Sequence, residues 1–195
     1  EGRSCAEDVA NELKKLQNEK VDGVILDLRD NGGGSLYEVV KMVGLFIPDG
    51  PVVQVKNGDG RSTFLADQDN GATLYSGPLV VMVNEFSASA SEIFAAAIQD
   101  YKRGIVIGSS STYGKGTVQR PIPLSSSLDQ NNLGTVHLTM QKYYRINGSS
   151  TQLKGVVSDI LLPGYYEEYK FKEKDNESAL AWDEIRQLAY KPWTK

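Results

Sequence analysis

Ser87-Ala-Ser-Ala-Ser-Glu92 places three serines in five residues, between a very apolar run and a run that reads as a helix. A serine hydroxyl is a nucleophile only beside a base. The chain has a single histidine, His137, in Thr-Val-His-Leu-Thr-Met, where apolar alternation makes it a strand residue on one face of a sheet. The other candidate is Lys115, set between two glycines in Tyr113-Gly-Lys-Gly-Thr. A lysine serves as a base when burial lowers its pKa from about 10.4 towards 7–8, a shift of about 4 kcal/mol that desolvation can supply. Ser–Lys pairs are a known variant of the catalytic triad. Ser89 and Glu92 also fit S-x-x-E, a helix capping box, so a purely structural role is the competing reading. The two overlap, because a helix N-terminus offers free N–H groups to a developing oxyanion.

Two glycine-rich stretches accompany the serines. Asn31-Gly-Gly-Gly34 follows an apolar run and precedes a helix-like one. It lacks G-x-G-x-x-G spacing, which leaves a tight turn or an oxyanion-binding loop. Gly108-Ser-Ser-Ser-Thr-Tyr-Gly-Lys-Gly resembles a phosphate-binding loop but has one residue too many before Gly114, and Gly116 where Ser or Thr is required. Cys5 is the only cysteine, which excludes an internal disulfide, and no His/Cys/carboxylate cluster has metal-ligand spacing.

The elements that must position these residues alternate in type. Ser4 and Glu7 cap a helix with Val9, Leu13 and Leu16 on one face. Val24 to Leu28 is a buried strand, and Ser35 with Glu38 caps a second helix. Pro51 to Lys56 is a strand, and the region from Asn57 to Gly71 is a loop or hairpin. An apolar strand in Gly77–Glu85 leads into the serine segment and its helix, ended by Gly104. A strand from Gly104 to Ser110, later strands around His137 and Val157, and a final helix over Glu177–Tyr190 complete the order. Strand–helix alternation with near-continuous apolar strands indicates an α/β fold with a mostly parallel sheet covered on both faces. Glu167 to Glu177, rich in Glu and Lys, reads as a solvated linker.

At 195 residues the chain suits a domain with a real core. A net charge of −4 argues against a nucleic-acid surface, and no apolar run is long enough to span a bilayer.

Four segments in this order, Leu26-Asp-Leu-Arg-Asp-Asn-Gly-Gly-Gly34, Ser87–Tyr101, Tyr113–Gln119 and Ser150–Ile160, resemble the carboxy-terminal processing peptidases, and most of all their tail-specific protease branch. The resemblance implies a crotonase/ClpP-like α/β core and a serine endopeptidase acting through an acyl-enzyme, without metal or organic cofactor. It places the nucleophile on Ser89, the general base on Lys115 and its orienting partner on Gln119. It assigns the oxyanion donors to the N–H groups of Ala90 and Gly34, with Gly33 beside it. Glu92, Asp100 and Thr112 fall on supporting positions. The implied core spans residues 1–170, with 171–195 opening a helical extension. A preceding PDZ domain that captures the C-termini of protein substrates, possible oligomerisation and a periplasmic or cell-envelope location also follow from the resemblance. One departure is the loop before Lys115, which is a residue longer than the usual family form, so that the extra serine is expected to bulge outwards. The alternatives are a crotonase-like acyl-thioester enzyme and a scaffold whose site is never assembled.

Overall fold

The computed structural model describes residues 4–67, 73–125 and 133–194. Helix α1, Cys5–Asn18, is capped by Ser4, whose hydroxyl accepts from the Glu7 N–H. Strand β1, Val24–Asp27, leads into the glycine loop and helix α2, Leu36–Gly44, where Ser35 accepts from the Glu38 N–H. Strands β2, Gly50–Asn57, and β3, Ser62–Asp67, form a hairpin, and the rest of the sequence to Gly71 lies outside the described residues. Strand β4, Leu79–Val83, precedes helix α3, Ala90–Asp100, and strand β5, Ile105–Gly108. Strands β6, Thr117–Pro123, and β7, Thr135–Tyr144, pair antiparallel, and the short β8, Ile160–Leu161, joins the edge of β5.

Among the described residues the strands form two four-stranded sheets. One is parallel, in the order β1-β4-β5-β8, and the other antiparallel, in the order β3-β2-β7-β6. Val24, Leu79, Val81, Val83 and Val106 of the parallel sheet join Val39, Val43, Phe94 and Ile98 of the helices and Val52 and Val53 of β2 in one core. The expectation of two covered faces is corrected. Alternation turns Ile25 and Ile105 outwards, 65% and 46% exposed, because α2 and α3 pack on the side that faces β2.

Gly104 does not terminate α3. The chain turns through Lys102, at φ 54°, and Gly104 is needed because a Cβ there would meet the Leu79 carbonyl at 2.6 Å. A third correction concerns residues 177–190, which form no helix. Their backbone groups bond outwards to the 146–150 turn instead: Ile185 N–H to the Gly148 carbonyl, Leu188 N–H to Ile146, and a bridge between Ser149 and Glu184. Trp182 donates its indole N–H to the Ser150 carbonyl, and the Lys154 ammonium sits 3.3 Å from the centre of its ring.

Candidate active site

The serine loop joins the end of β4 to α3, at the C-terminal edge of the parallel sheet, where open α/β sheets place ligands. Its three serines differ in what they touch. Ser87, fully buried, donates its hydroxyl to the Leu28 carbonyl at 2.8 Å and accepts from the Asn84 N–H. Ser91 donates to the Asn31 carbonyl at 3.0 Å. These hydroxyls tie the loop to the end of β1 and to the glycine loop. The Ser89 hydroxyl makes no cap bond, and the residue is only partly buried. Its backbone lies at φ 57°, ψ −115°, a conformation that costs a non-glycine residue about 1–3 kcal/mol and clusters at functional sites.

Half of the expected capping box forms. The Ser89 N–H donates to Glu92 Oε2 at 2.9 Å, and the same oxygen accepts the Lys115 N–H at 3.0 Å. The two backbone nitrogens therefore lie within about 6 Å of each other. Glu92 Oε1 accepts the Thr112 hydroxyl at 2.6 Å and the Gly114 N–H at 2.8 Å. One buried carboxylate thus holds both loops, and burial pushes its pKa up to about 7 against the pull of these four donors. Its role across 20 residues of chain could not be read from S-x-x-E.

The Lys115 backbone is held from both sides, because its carbonyl accepts from the Tyr143 and Thr151 hydroxyls. Thr112 is fully buried, and besides donating to Glu92 it accepts from the Val156 N–H at 2.8 Å. The Lys115 ammonium makes no hydrogen bond to the Ser89 hydroxyl. Gln119 lies on β6 beside a bulge, paired with Thr139 and exposed, with no side-chain bond to Lys115.

Gly33, at φ 98°, packs so closely on the serine loop that a Cβ would meet the Ala88 carbonyl at 2.6 Å and the Ala90 nitrogen at 2.8 Å. Its N–H is already donated to Asn31 Oδ1. The N–H groups of Gly34 and Ala90 have no partner among the described residues, and Ala90, first in α3, is a position whose N–H a helix leaves free. Both residues line a cavity of about 120 Å³ walled by Leu28, Val39, Met42 and Phe94. Asp100 lies at the far end of α3, about 16 Å along the helix from Ser89. It pairs with Arg145 at 2.5 Å and accepts from Asn147, which fixes the 145–147 turn, and it touches nothing at the serine loop.

In the serine stretch before Lys115, Ser110 is exposed, as an outward bulge would leave it, but the stretch is tethered. Ser109 donates to the Ser111 carbonyl, and both Ser110 and Ser111 accept from Lys172. The Glu167–Glu177 stretch is solvated over most of its length, as expected, but Lys172 anchors it on the loop that leads to Lys115.

The chain is 52% identical over 186 residues to the tail-specific protease of Haemophilus influenzae, which covers 94% of this chain and 26% of that protein. It is 36% identical to a carboxy-terminal-processing protease of Bartonella bacilliformis over 80% of this chain and 35% of that one. The fold matches the photosystem II D1 C-terminal processing protease with a TM-score of 0.68 at 30% identity, over 80% of this chain and 39% of that one. The chain thus spans about a quarter to a third of the length of these curated relatives. The sequence profile of peptidase family S41 matches residues 2–162, and the chain belongs to that family.

Proposed function

We propose that the chain is the catalytic core of a serine endopeptidase that cleaves proteins presented through their C-terminal tails, with Ser89 as nucleophile and Lys115 as general base. The observation that carries this reading is Glu92, whose single carboxylate oxygen binds the backbone N–H groups of both residues. The Lys115 amine takes the proton from Ser89 as its oxygen attacks the scissile carbonyl. Gln119 orients the amine once substrate closes the site. The free Ala90 and Gly34 N–H groups bind the oxyanion, a function that Gly33 cannot share while it donates to Asn31. The lysine then protonates the leaving amine, and water hydrolyses the acyl-enzyme. The cavity beside these donors, small and apolar, suits a short aliphatic side chain next to the scissile bond. Capture of substrate tails by a PDZ domain of the longer protein, in the cell envelope, completes the reading, which rests here on kinship with the tail-specific protease.

The test is digestion of an unfolded protein together with covalent labelling by a fluorophosphonate. Label on Ser89, and loss of digestion in both Ser89→Ala and Lys115→Ala, are expected. Digestion that survives both substitutions refutes the dyad. The missing hydrogen bond between Ser89 and Lys115 favours a second reading for the chain without substrate, a site held short of assembly. In that case labelling is slow until a substrate peptide is added.

A further inference from the structure

Residues 163–175 follow β8 and contain only a one-turn 3-10 helix, Glu173–Asp175, yet they touch both loops of the site. On the base loop, Glu167 accepts the Ser110 N–H at 3.1 Å, and the Glu173 N–H donates to the Tyr113 carbonyl at 3.0 Å. Lys172, only 8% exposed, donates to the Ser111 carbonyl at 2.9 Å, the Ser111 hydroxyl at 2.8 Å and the Ser110 hydroxyl at 3.3 Å. On the nucleophile loop, Phe86 stands three residues before Ser89 and packs against Tyr166 and Phe171, with ring centres 5.3 Å and 5.6 Å away. Next to it is Glu85, 2% exposed, with one buried carboxylate oxygen that has no hydrogen-bond partner. Glu85 is the leading charge acting favourably on Lys172, against the desolvation that pulls this lysine's pKa below the ordinary range.

Lys172 is thus a buried cation bonded to the loop of Lys115 and attracted to a carboxylate on the loop of Ser89. Holding a buried ammonium here costs desolvation, which a surface strap could avoid by carrying a neutral residue.

We propose that Lys172 is a positioning residue for the peptidase reaction, and that the 164–173 strap sets the spacing of the Ser89 and Lys115 loops from outside the site. The proposal rests on the Ser–Lys reading above. Lys172 touches no substrate and works through the loops, so its removal should slow acylation without weakening substrate binding. A misplacement of about 1 Å in such a constellation costs on the order of 100-fold in rate.

The test is steady-state kinetics on the purified protein with Lys172→Met, which keeps the stem and removes the donors, and Lys172→Arg, which restores charge and donors. The expected result is a fall of about tenfold or more in kcat and in the rate of fluorophosphonate labelling for K172M. KM should stay within about twofold, and K172R should recover most of the loss. Ser111→Ala, which removes one acceptor and leaves the fold, should lower kcat about threefold. The proposal is overturned if folded K172M turns over at the wild-type rate, or if its loss appears in KM alone. It is equally overturned if K172M fails to fold and S111A keeps full kcat. Ser89→Ala and Lys115→Ala run alongside separate the two layers. If either retains full turnover the dyad itself fails, and if both are dead while K172M is unimpaired only the positioning role fails.

Discussion

Glu92→Gln separates the stability and the function of the clamp. Glu92 accepts four hydrogen bonds and has no donor of its own when ionised. A glutamine keeps the shape but exchanges one oxygen for an NH2 group. If the NH2 faces Ser89 and Lys115, two buried N–H groups lose their acceptor. If it faces the other pair, the Gly114 N–H loses its acceptor and the Thr112 hydroxyl, which already accepts from the Val156 N–H, must turn its proton away from residue 92. Either orientation therefore leaves two donors without this acceptor, at a cost of about 1–3 kcal/mol for each that finds no other. Against this stands the charge that the substitution removes. Burial raises the Glu92 pKa from 4.5 to about 7, so the folded state binds the proton more tightly than the unfolded one. Between those two values, rising pH ionises the unfolded chain first and the folded state loses stability, by about 3 kcal/mol once pH exceeds 7. Glutamine does not titrate, and at pH 5 it replaces a carboxylic acid that also carries a single donor edge. E92Q should therefore sit close to wild type at pH 5 and gain about 3 kcal/mol relative to it by pH 8. Peptidase activity at pH 8 should nonetheless fall about tenfold, because in either orientation the base loop loses a backbone anchor, at Lys115 or at Gly114. Urea unfolding of both proteins at the two pH values, with digestion assays at pH 8, measures this. A difference in stability that does not change with pH, or that moves against E92Q as pH rises, refutes the argument from burial.

Other substitutions test neighbouring parts of the site. Ser89→Gly relieves the φ 57° backbone and should raise stability by about 1 kcal/mol while abolishing digestion, as seen by calorimetry and assay. Ser87→Ala leaves the Asn84 N–H without its partner and removes the bond to Leu28, so it should lower unfolding free energy by about 1–3 kcal/mol. Gly33→Ala forces a Cβ against the serine loop at positive φ and should both destabilise the fold, read by thermal unfolding, and block fluorophosphonate labelling. Glu38 has its pKa drawn down to about 2 by Ser4, the Ala6 N–H and Lys41, which pins the start of α1. Its contribution is present above pH 4.5 and disappears as pH falls through 2. Glu38→Gln should then cost about 1 kcal/mol at pH 7, after allowance for solvent screening, and nothing near pH 2 in the same unfolding assay.

The features legible in the sequence are local ones. Ser4, Ser35 and Glu92 act within three or four residues of chain, so the helix starts they mark appear where the pattern places them. The apolar strands β1, β4 and β5 could be read from composition, but not which of their side chains would be covered: Val24 and Val106 are buried while Ile25 and Ile105 are exposed. Residues 177–190 show the limit of that reasoning. Their spacing suits a helix, but the 146–150 turn supplies backbone partners and the Trp182 contacts, and the chain is drawn out along it.

The sequence by itself determined the family and the helix start at Ser89, and it supplied the serine and lysine on which the proposed chemistry rests. It did so because each depends on neighbours in the chain or on motifs that occur together. Tertiary structure alone decided which serine is left free, since Ser87 and Ser91 spend their hydroxyls on carbonyls 59 and 60 residues away. It also decided that Glu92 serves the Lys115 loop as well as its own helix, and that Lys172 reaches across 61 residues to Ser111. A buried polar group must find partners wherever folding leaves them, and no local pattern encodes where that is.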